Sequence, residues 1–497
     1  MNRSLLIWLT LFSPLALRCA ETTNEGHVSS TNASYDGSAL KLTGHVILDH
    51  GLGRMNAEEA SLEKQDAGSD FPFSLIHLHK QVQLTLQNNA RLSCDHADLD
   101  FLELKGTLSA PISGLVVFEQ QLTKKEHHGA SLSLQSPKID LALMKAEVKE
   151  HKLSYDVDTI IATDGVVIDY NKAFLLEAGR AVYSNIASAN KDLQGTLKAY
   201  AKDDASVCTL LHDNDKVQAR SIELDLIHST LTMDKPEGTI QSSLLPQHLQ
   251  GSIAFITDHM TWDHLQNRLT LKGKSFITES SLGTITTQEM LMIQQAIIKG
   301  KKVISKIETV GASELIYQDP CSSGYHKLYC QGTMKIDREH LHASLTSPIK
   351  DNKTTPYSDQ VSYQEPELGA FADSLFVEFT VEEEKLQPVS LSLKGNVSLF
   401  SRNEQEPFRC SIADRMSYCP ITKTLILSAN PGQKVLFWDE QQAVRMSAQE
   451  VHLTQNPITK QTVIQGVGKV KFSLSTEENE TLKKVFPQYK PLPEGQL

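Results

Sequence analysis

Apolar and polar residues alternate along most of the chain, but the alternation slips at recurring places. Between Phe255 and Met292 one eight-residue phrase occurs twice: apolar, x, small, x, x, apolar, x, apolar. It reads Phe255, Thr257, Met260, Trp262 and then Ile285, Thr287, Met290, Met292, with the alternating run Leu269, Leu271, Gly273 between the copies. The phrase also starts at Met55, Leu92, Leu134, Leu176, Val217, Val310, Ala370 and Met446, with looser copies from Leu341 and Ser411. Successive starts lie 25 to 42 residues apart. A recurrence of this length predicts units that cannot bury a core alone and stack on their neighbours.

The phrase carries geometry. Side chains alternate faces along a strand, so apolar positions one, three, six and eight share a face only if the parity flips after the third. A bulge or corner is therefore predicted at that point. The small residues Ala57, Cys94, Ser136, Ala178, Ala219, Thr257, Thr287, Ala312 and Ala448 suit a bend with little room. A second run closes on glycine, as in Leu40, Leu42, Gly44, Val46 and in Leu391, Leu393, Gly395, Val397. Glycine at a fixed strand position marks a tight bend or a close backbone approach. These patterns predict an all-β chain, with any helix confined to its ends.

A unit such as 40–62, with LxLxGxV, a turn and an apolar-x-Ala-x-x-Ala-x-apolar strand, resembles the OstA-like repeat of the LptA, LptC and amino-terminal LptD type. The resemblance runs over roughly residues 34 to 474. It implies an elongated repeat β-jellyroll (β-taco) of two twisted antiparallel sheets, here with about 12 stacked repeat units. In that family an apolar groove holds lipid acyl chains. The implied role is to carry lipopolysaccharide (lipooligosaccharide) or a related lipid through the periplasm of a Gram-negative bacterium toward the outer membrane. The implied partners are other OstA-like fold proteins, joined by edge-strand pairing.

If one face of each strand points between two sheets, then Phe255, Met260, Trp262, Ile285, Met290, Met292, Val310, Leu315 and Tyr317 line a continuous apolar interior. An open groove and a closed core need the same apolar face. A structural or adhesive surface β-solenoid therefore stands as the alternative to lipid binding. An enzyme with paired carboxylates at strand ends comes third.

At the amino terminus Arg3 precedes the apolar run 5–17, followed by Arg18, Cys19, Ala20 and a polar stretch. This reads as a secretory signal peptide over residues 1–20, because about 13 apolar residues are too few to span a bilayer. A polar linker is expected over 21–33 and a repeat body over 34–346. A proline-rich loop or hinge follows at 347–366, then further repeats over 367–474 and a polar tail over 475–497.

The net charge of −12 argues against nucleic acid as a partner, since such binding depends on neutralising phosphates. Of seven cysteines, Cys321 and Cys330 flank SSGYHKLY, whose Ser322–Gly324 turn makes them the expected disulfide. Cys94 occupies the small position of a phrase and reads as a packed thiol. The histidine pairs His77 with His79, His127 with His128, and His340 with His342 lack further convergent ligands. With no HExxH, P-loop, GxSxG or CxxC pattern, no catalytic residue, metal or cofactor is predicted.

Overall fold

The computed structural model describes residues 27–64, 73–111, 114–124, 127–147, 153–186, 194–226, 228–241, 252–279, 283–298, 301–318, 325–348, 359–365, 368–382, 385–403, 406–439, 444–455 and 462–474. Among them no α-helix occurs, and the strands pair antiparallel. The expected signal peptide and polar tail lie outside the described residues. The chain forms two compact units: 1–171 with 182–193, and 172–181 with 194–497. The division falls within strand Phe174–Ile186.

Both units follow one rule. Long strands bend in the middle, and the register of pairing jumps at the bend. Strand Ala39–His50 pairs with Gly53–Glu63 along both arms, yet its register shifts between Thr43 and Val46. Strand Ser252–Asp263 pairs with Arg268–Glu279 in the same way, with a shift between Thr257 and His259. Each bend hands the chain from one hydrogen-bonded ladder to a second.

In the first unit, ladder one joins 46–50, 53–56, 82–86, 91–94, 117–119, 132–135 and 167–170. Ladder two joins 39–43, 59–63, 75–79, 96–100, 105–109, 138–142 and 159–163. In the second unit, ladder one runs from 175–177 against 209–211 to 444–447 against 471–474. Ladder two runs there from 196–200 against 221–225 to 450–455 against 462–467.

The corners have a local cause. Gly44, Gly273 and Gly395 hold φ of 79°, 82° and 78°, a left-handed backbone open to glycine at no steric cost. A Cβ on Gly273 would come within 2.4 Å of the Asp258 carboxylate. Where a corner lacks glycine, polar residues take the strain: Lys80 and Gln81 both have positive φ. The small hydroxyl residues of the phrase bond to groups that the register jump displaces. The Thr257 and Ser275 hydroxyls lie 2.7 Å apart in the interior, and the Ser275 hydroxyl is 3.1 Å from the Gly273 carbonyl.

The predicted parity flip is present at Met55, Leu92, Leu134, Leu176, Val217, Phe255, Ala370, Ser411 and Met446. It is absent at Ile285, Val310 and Leu341. The difference lies in how many residues leave the strands at the corner. A single one, such as Arg220, Asp373 or Gln449, shifts the buried positions to the other parity. Two of them, 288–289 after Ile285 or 311–312 after Val310, restore the original parity, because side chains repeat every second residue, and the Leu341 copy lies along the single strand His342–Thr346 with no corner after its third position.

Two expected boundaries also move. Strands His27–Ser29 and Asn32–Tyr35 pair with Ala39–His50, so part of the expected linker belongs to the sheet. The described part of the expected hinge carries strand Val361–Gln364, whose first three residues are buried and which pairs on both edges within the second unit.

Gly273→Ala is expected to destabilise the second unit by about 2 kcal/mol, through strain and the clash with Asp258. Gly432→Ala, also left-handed but with nothing within 4 Å of its Cβ, should cost only about 1 kcal/mol. Denaturant unfolding midpoints of the two variants check this ranking.

Candidate functional site

The buried faces of the two ladders meet, and the space between them is filled by apolar side chains. In the second unit Phe255, Met260, Trp262, Ile285 and Leu315 all point inward, each 3% exposed or less. Tyr317 lies on the same face as Leu315 but at the end of its strand, half-buried against the His326 ring 6.0 Å away. Met290, Met292 and Val310 do not line the interior. Met290 pairs with the exposed Lys272 and Met292 with Thr270, while Leu291 and Ile293 between them are the buried residues. Val310 pairs with Met290 on that outer face, and the fully buried residue beside it is Thr309. The two-residue corners at 288–289 and 311–312 account for these reversals.

Opposite the corners many strands end in turns, while the pairs 143–147 with 153–157, 295–298 with 301–304 and 379–382 with 385–388 run on as hairpins after a further register shift. At this edge side chains from the two ladders touch. In the second unit Phe174 and His212 come from ladder one, and Trp262 and His264 come from ladder two. Phe174 lies 4.6 Å from His212, 5.7 Å from Trp262 and 5.2 Å from His264, measured between ring centroids. His212 lies 5.2 Å from Trp262 and 5.4 Å from His264. The buried Asp215 carboxylate holds His212 at 3.2 Å and accepts the Gln241 amide hydrogen at 2.6 Å.

The first unit repeats the arrangement with different residues. His50, which closes a ladder-one strand, packs 4.1 Å from Phe101 and 5.3 Å from Tyr155, and these two are 5.0 Å apart. The Tyr155 amide donates to the Gly51 carbonyl at 3.0 Å. Burial lowers the His50 pKa to about 4, so the ring is neutral near pH 7. Further along, Tyr183 sits 5.9 Å from Phe118 and its hydroxyl donates to Gln120 Oε1 at 3.2 Å. Burial pushes the Tyr183 phenol up, with the Asp156 charge adding to it, so the group stays a donor.

A polar cluster lies at the turn ends of the second unit. The Tyr363 hydroxyl donates to Glu365, and His326 Nδ1 is 2.9 Å from the Tyr363 oxygen. Burial, followed by the Glu365 charge, pushes the Tyr363 phenol up. Burial also pushes the Glu365 carboxyl up, but hydrogen bonds from His326 and Tyr363 outweigh it and hold that group below its ordinary range. A phenol held protonated beside an ionised carboxylate offers hydrogen bonds rather than a nucleophile.

Cys330 is a free thiol, fully buried at the corner end of strand Tyr325–Cys330, and burial pushes it up to about 11. The expected partner Cys321 lies outside the described residues. Cys94 is buried and free, its thiol pushed up to about 12 by burial and by Asp95 and Asp98. His77 bonds Asp98 at 2.6 Å and His79 faces His96 at 2.8 Å, both between ladder-two strands. The rings of His340 and His342 are 5.7 Å apart. The side chains of His127 and His128 lie outside the described residues. Among the described residues no group of three His, Cys, Asp or Glu side chains could hold a metal ion.

The turn-end rings were the feature missed in the sequence, where Trp262 alone was singled out. The available signal was an aromatic or histidine directly beside a turn, as in His50-Gly51 and His212-Asp213-Asn214. No family model matches the sequence, and no curated protein matches it.

Leu291→Asp, which places a charge in the interior, is expected to cost several kcal/mol, roughly 3 or more, whereas Met290→Lys should be nearly neutral. Thermal melts that rank the two the other way would overturn the face assignment.

His50 gives a second expectation. Its folded pKa of about 4 lies below the ordinary histidine value of roughly 6.5. As the pH falls between these values the unfolded chain takes up a proton that the folded unit refuses, so stability is lost. On the order of 2 kcal/mol should vanish over that window, and His50→Phe should abolish this part of the pH dependence. Hydrogen exchange of strand Ala39–His50 between pH 7 and pH 4.5 measures it.

Proposed function

We propose that this protein is a lipid-handling β-jellyroll of a Gram-negative envelope, which holds the acyl chains of lipopolysaccharide or a related lipid between its two ladders. The observation that carries this reading is the interior itself. In each unit the bent strands turn a mostly apolar face inward, with Leu48 and Leu62 buried in the first unit and Phe437 and Val451 in the second. Such a lining suits hydrocarbon and offers little to a polar substrate. The OstA-like pattern of the sequence agrees with it, as does the apolar run after Arg3, read as a signal for export to the periplasm.

The last strands of the second unit supply the partner surface in this reading. Thr462–Val467 and Lys471–Leu474 close the two ladders, and Val463, Val467 and Phe472 are exposed there. Their outer edges can accept a strand from another protein of the same fold.

A second reading, a structural β-solenoid with a closed core, draws on the near-complete burial of Trp262, Ile285 and Leu315. Site-specific photo-crosslinking separates the two. A crosslinker at the buried Ile285 should capture an acylated lipid in cells, and one at the neighbouring Thr286 on the outer face should not. Mass spectrometry that finds no lipid at Ile285, Leu271 or Leu291 would favour the structural reading.

A further inference from the structure

We propose that His79 and His96 form a binding site for a divalent metal ion of square or octahedral geometry, copper(II) first among them, on the outer face of ladder two in the first unit. The two residues lie directly opposite each other on strands Leu75–Leu86 and Arg91–Asp100, as the last ladder-two pair before the corner. Past them Lys80 and Gln81 leave one ladder and Asp95 leaves the other, so the register jumps and re-aims the side chains beside it. His79 Nδ1 thereby stands 2.8 Å from His96 Nδ1, with the two rings edge to face. The sequence hid this pair, because His79 stood out only beside His77 and its true neighbour is 17 residues away.

The spacing suits one class of ion. Two metal–nitrogen bonds of about 2.0 Å at a right angle hold their nitrogens about 2.8 Å apart, whereas a tetrahedral ion spreads them to about 3.3 Å. Adjacent positions of a tetragonal ion therefore match, and copper(II) binds nitrogen ligands most tightly among the first-row divalent ions. The tautomers match as well. Asp95 Oδ2 lies 3.0 Å from His96 Nε2 and draws that ring's hydrogen there, which leaves His96 Nδ1 with a bare lone pair. His79 then donates the hydrogen that bridges the rings. On binding, that hydrogen moves to His79 Nε2, and a modest turn of each ring aims both Nδ1 lone pairs at the ion.

The surroundings favour a cation. Glu58, Glu59 and Asp95 all act on Lys80 beside the pair, and Asp95 and Asp98 act on Cys94 behind it. The His96 side chain is 44% exposed, so an ion reaches it from solvent. Asp98 holds His77 at 2.6 Å and Lys80 holds Glu59 at 2.7 Å, so these neighbours are already engaged. Two protein nitrogens, with water in the remaining positions, make the site. It does not rest on the lipid reading.

The full-length protein is titrated with copper(II) iminodiacetate, whose ion keeps adjacent positions open for protein nitrogens, and binding is read by electron paramagnetic resonance. One equivalent should bind through two imidazole nitrogens. His79→Asn and His96→Asn should each weaken binding about tenfold or more and leave a one-nitrogen spectrum, because the chelate is lost. Asp95→Asn should weaken it about tenfold with both nitrogens retained, and His77→Asn should change neither affinity nor spectrum. Unchanged affinity in His79→Asn or His96→Asn, or an equal loss in His77→Asn, overturns the site. A second measurement uses the wild type alone. With ascorbate and oxygen, bound copper oxidises the imidazoles that hold it, and peptide mass spectrometry should find the added oxygen on His79 and His96. Oxygen found only on other histidines overturns the proposal.

Discussion

The structure depends on a bend in the backbone. An antiparallel strand that stays straight belongs to one sheet, and its buried face must find a cover elsewhere. Here the strands supply their own cover by turning a corner halfway along, so that one half packs on the other. The bend requires left-handed backbone at Gly44, Gly273 and Gly395, or at polar substitutes such as Lys80 and Gln81. It also requires small residues on the neighbouring strand and a jump in register. Every buried position follows from that jump, because a shift of one residue exchanges the two faces of a strand.

The same constraint makes the two edges of each unit unequal. At the corners the connection is covalent and the displaced backbone groups find local partners, such as the Ser136 hydroxyl bonded to the Thr163 carbonyl at 2.5 Å. At the turns the halves are joined by side chains and, in the first unit, also by the backbone hydrogen bond from the Tyr155 amide to the Gly51 carbonyl. Large rings serve there because a ring reaches across the gap and fills it. Histidines are tolerated among them: burial keeps His50 neutral, and His212 lies 3.2 Å from the Asp215 carboxylate.

Much of this was legible in the sequence, and the part that was not has a definite cause. The phrase from Phe255 to Trp262 located the corner, the small residue and the inward face correctly, because one strand carries the whole pattern through a single shift. The copies at Ile285 and Val310 look the same in sequence, yet Met290, Met292 and Val310 face outward. Two residues leave the strand there instead of one, and the apolar pattern alone does not count them: Met290, Leu291, Met292 and Ile293 are all apolar, so either parity reads equally well. Cys330, expected to bridge to Cys321, is instead a free thiol whose side chain joins the buried face at the corner end of its strand. The ring contacts at the turn ends were hidden because they join residues distant in sequence, such as Phe174 and Trp262, that only the stacking of strands brings into contact.

A filled interior and a carrier function are compatible once the energetics of the empty state are considered. An apolar slot wide enough for an acyl chain would expose its walls to water when vacant, so a protein without lipid gains by closing on itself. Full burial of Trp262 and Leu315 is then what an empty carrier should show, provided that closure can be reversed. Reversal demands that one edge be weaker than the rest and that apolar surface wait outside it. Leu102 and Leu265, exposed at two ladder-two turns, are apolar surface of that kind. A purely structural solenoid would have reason to keep its turn tips polar, since exposed leucines at the rim bring it no stability and invite aggregation.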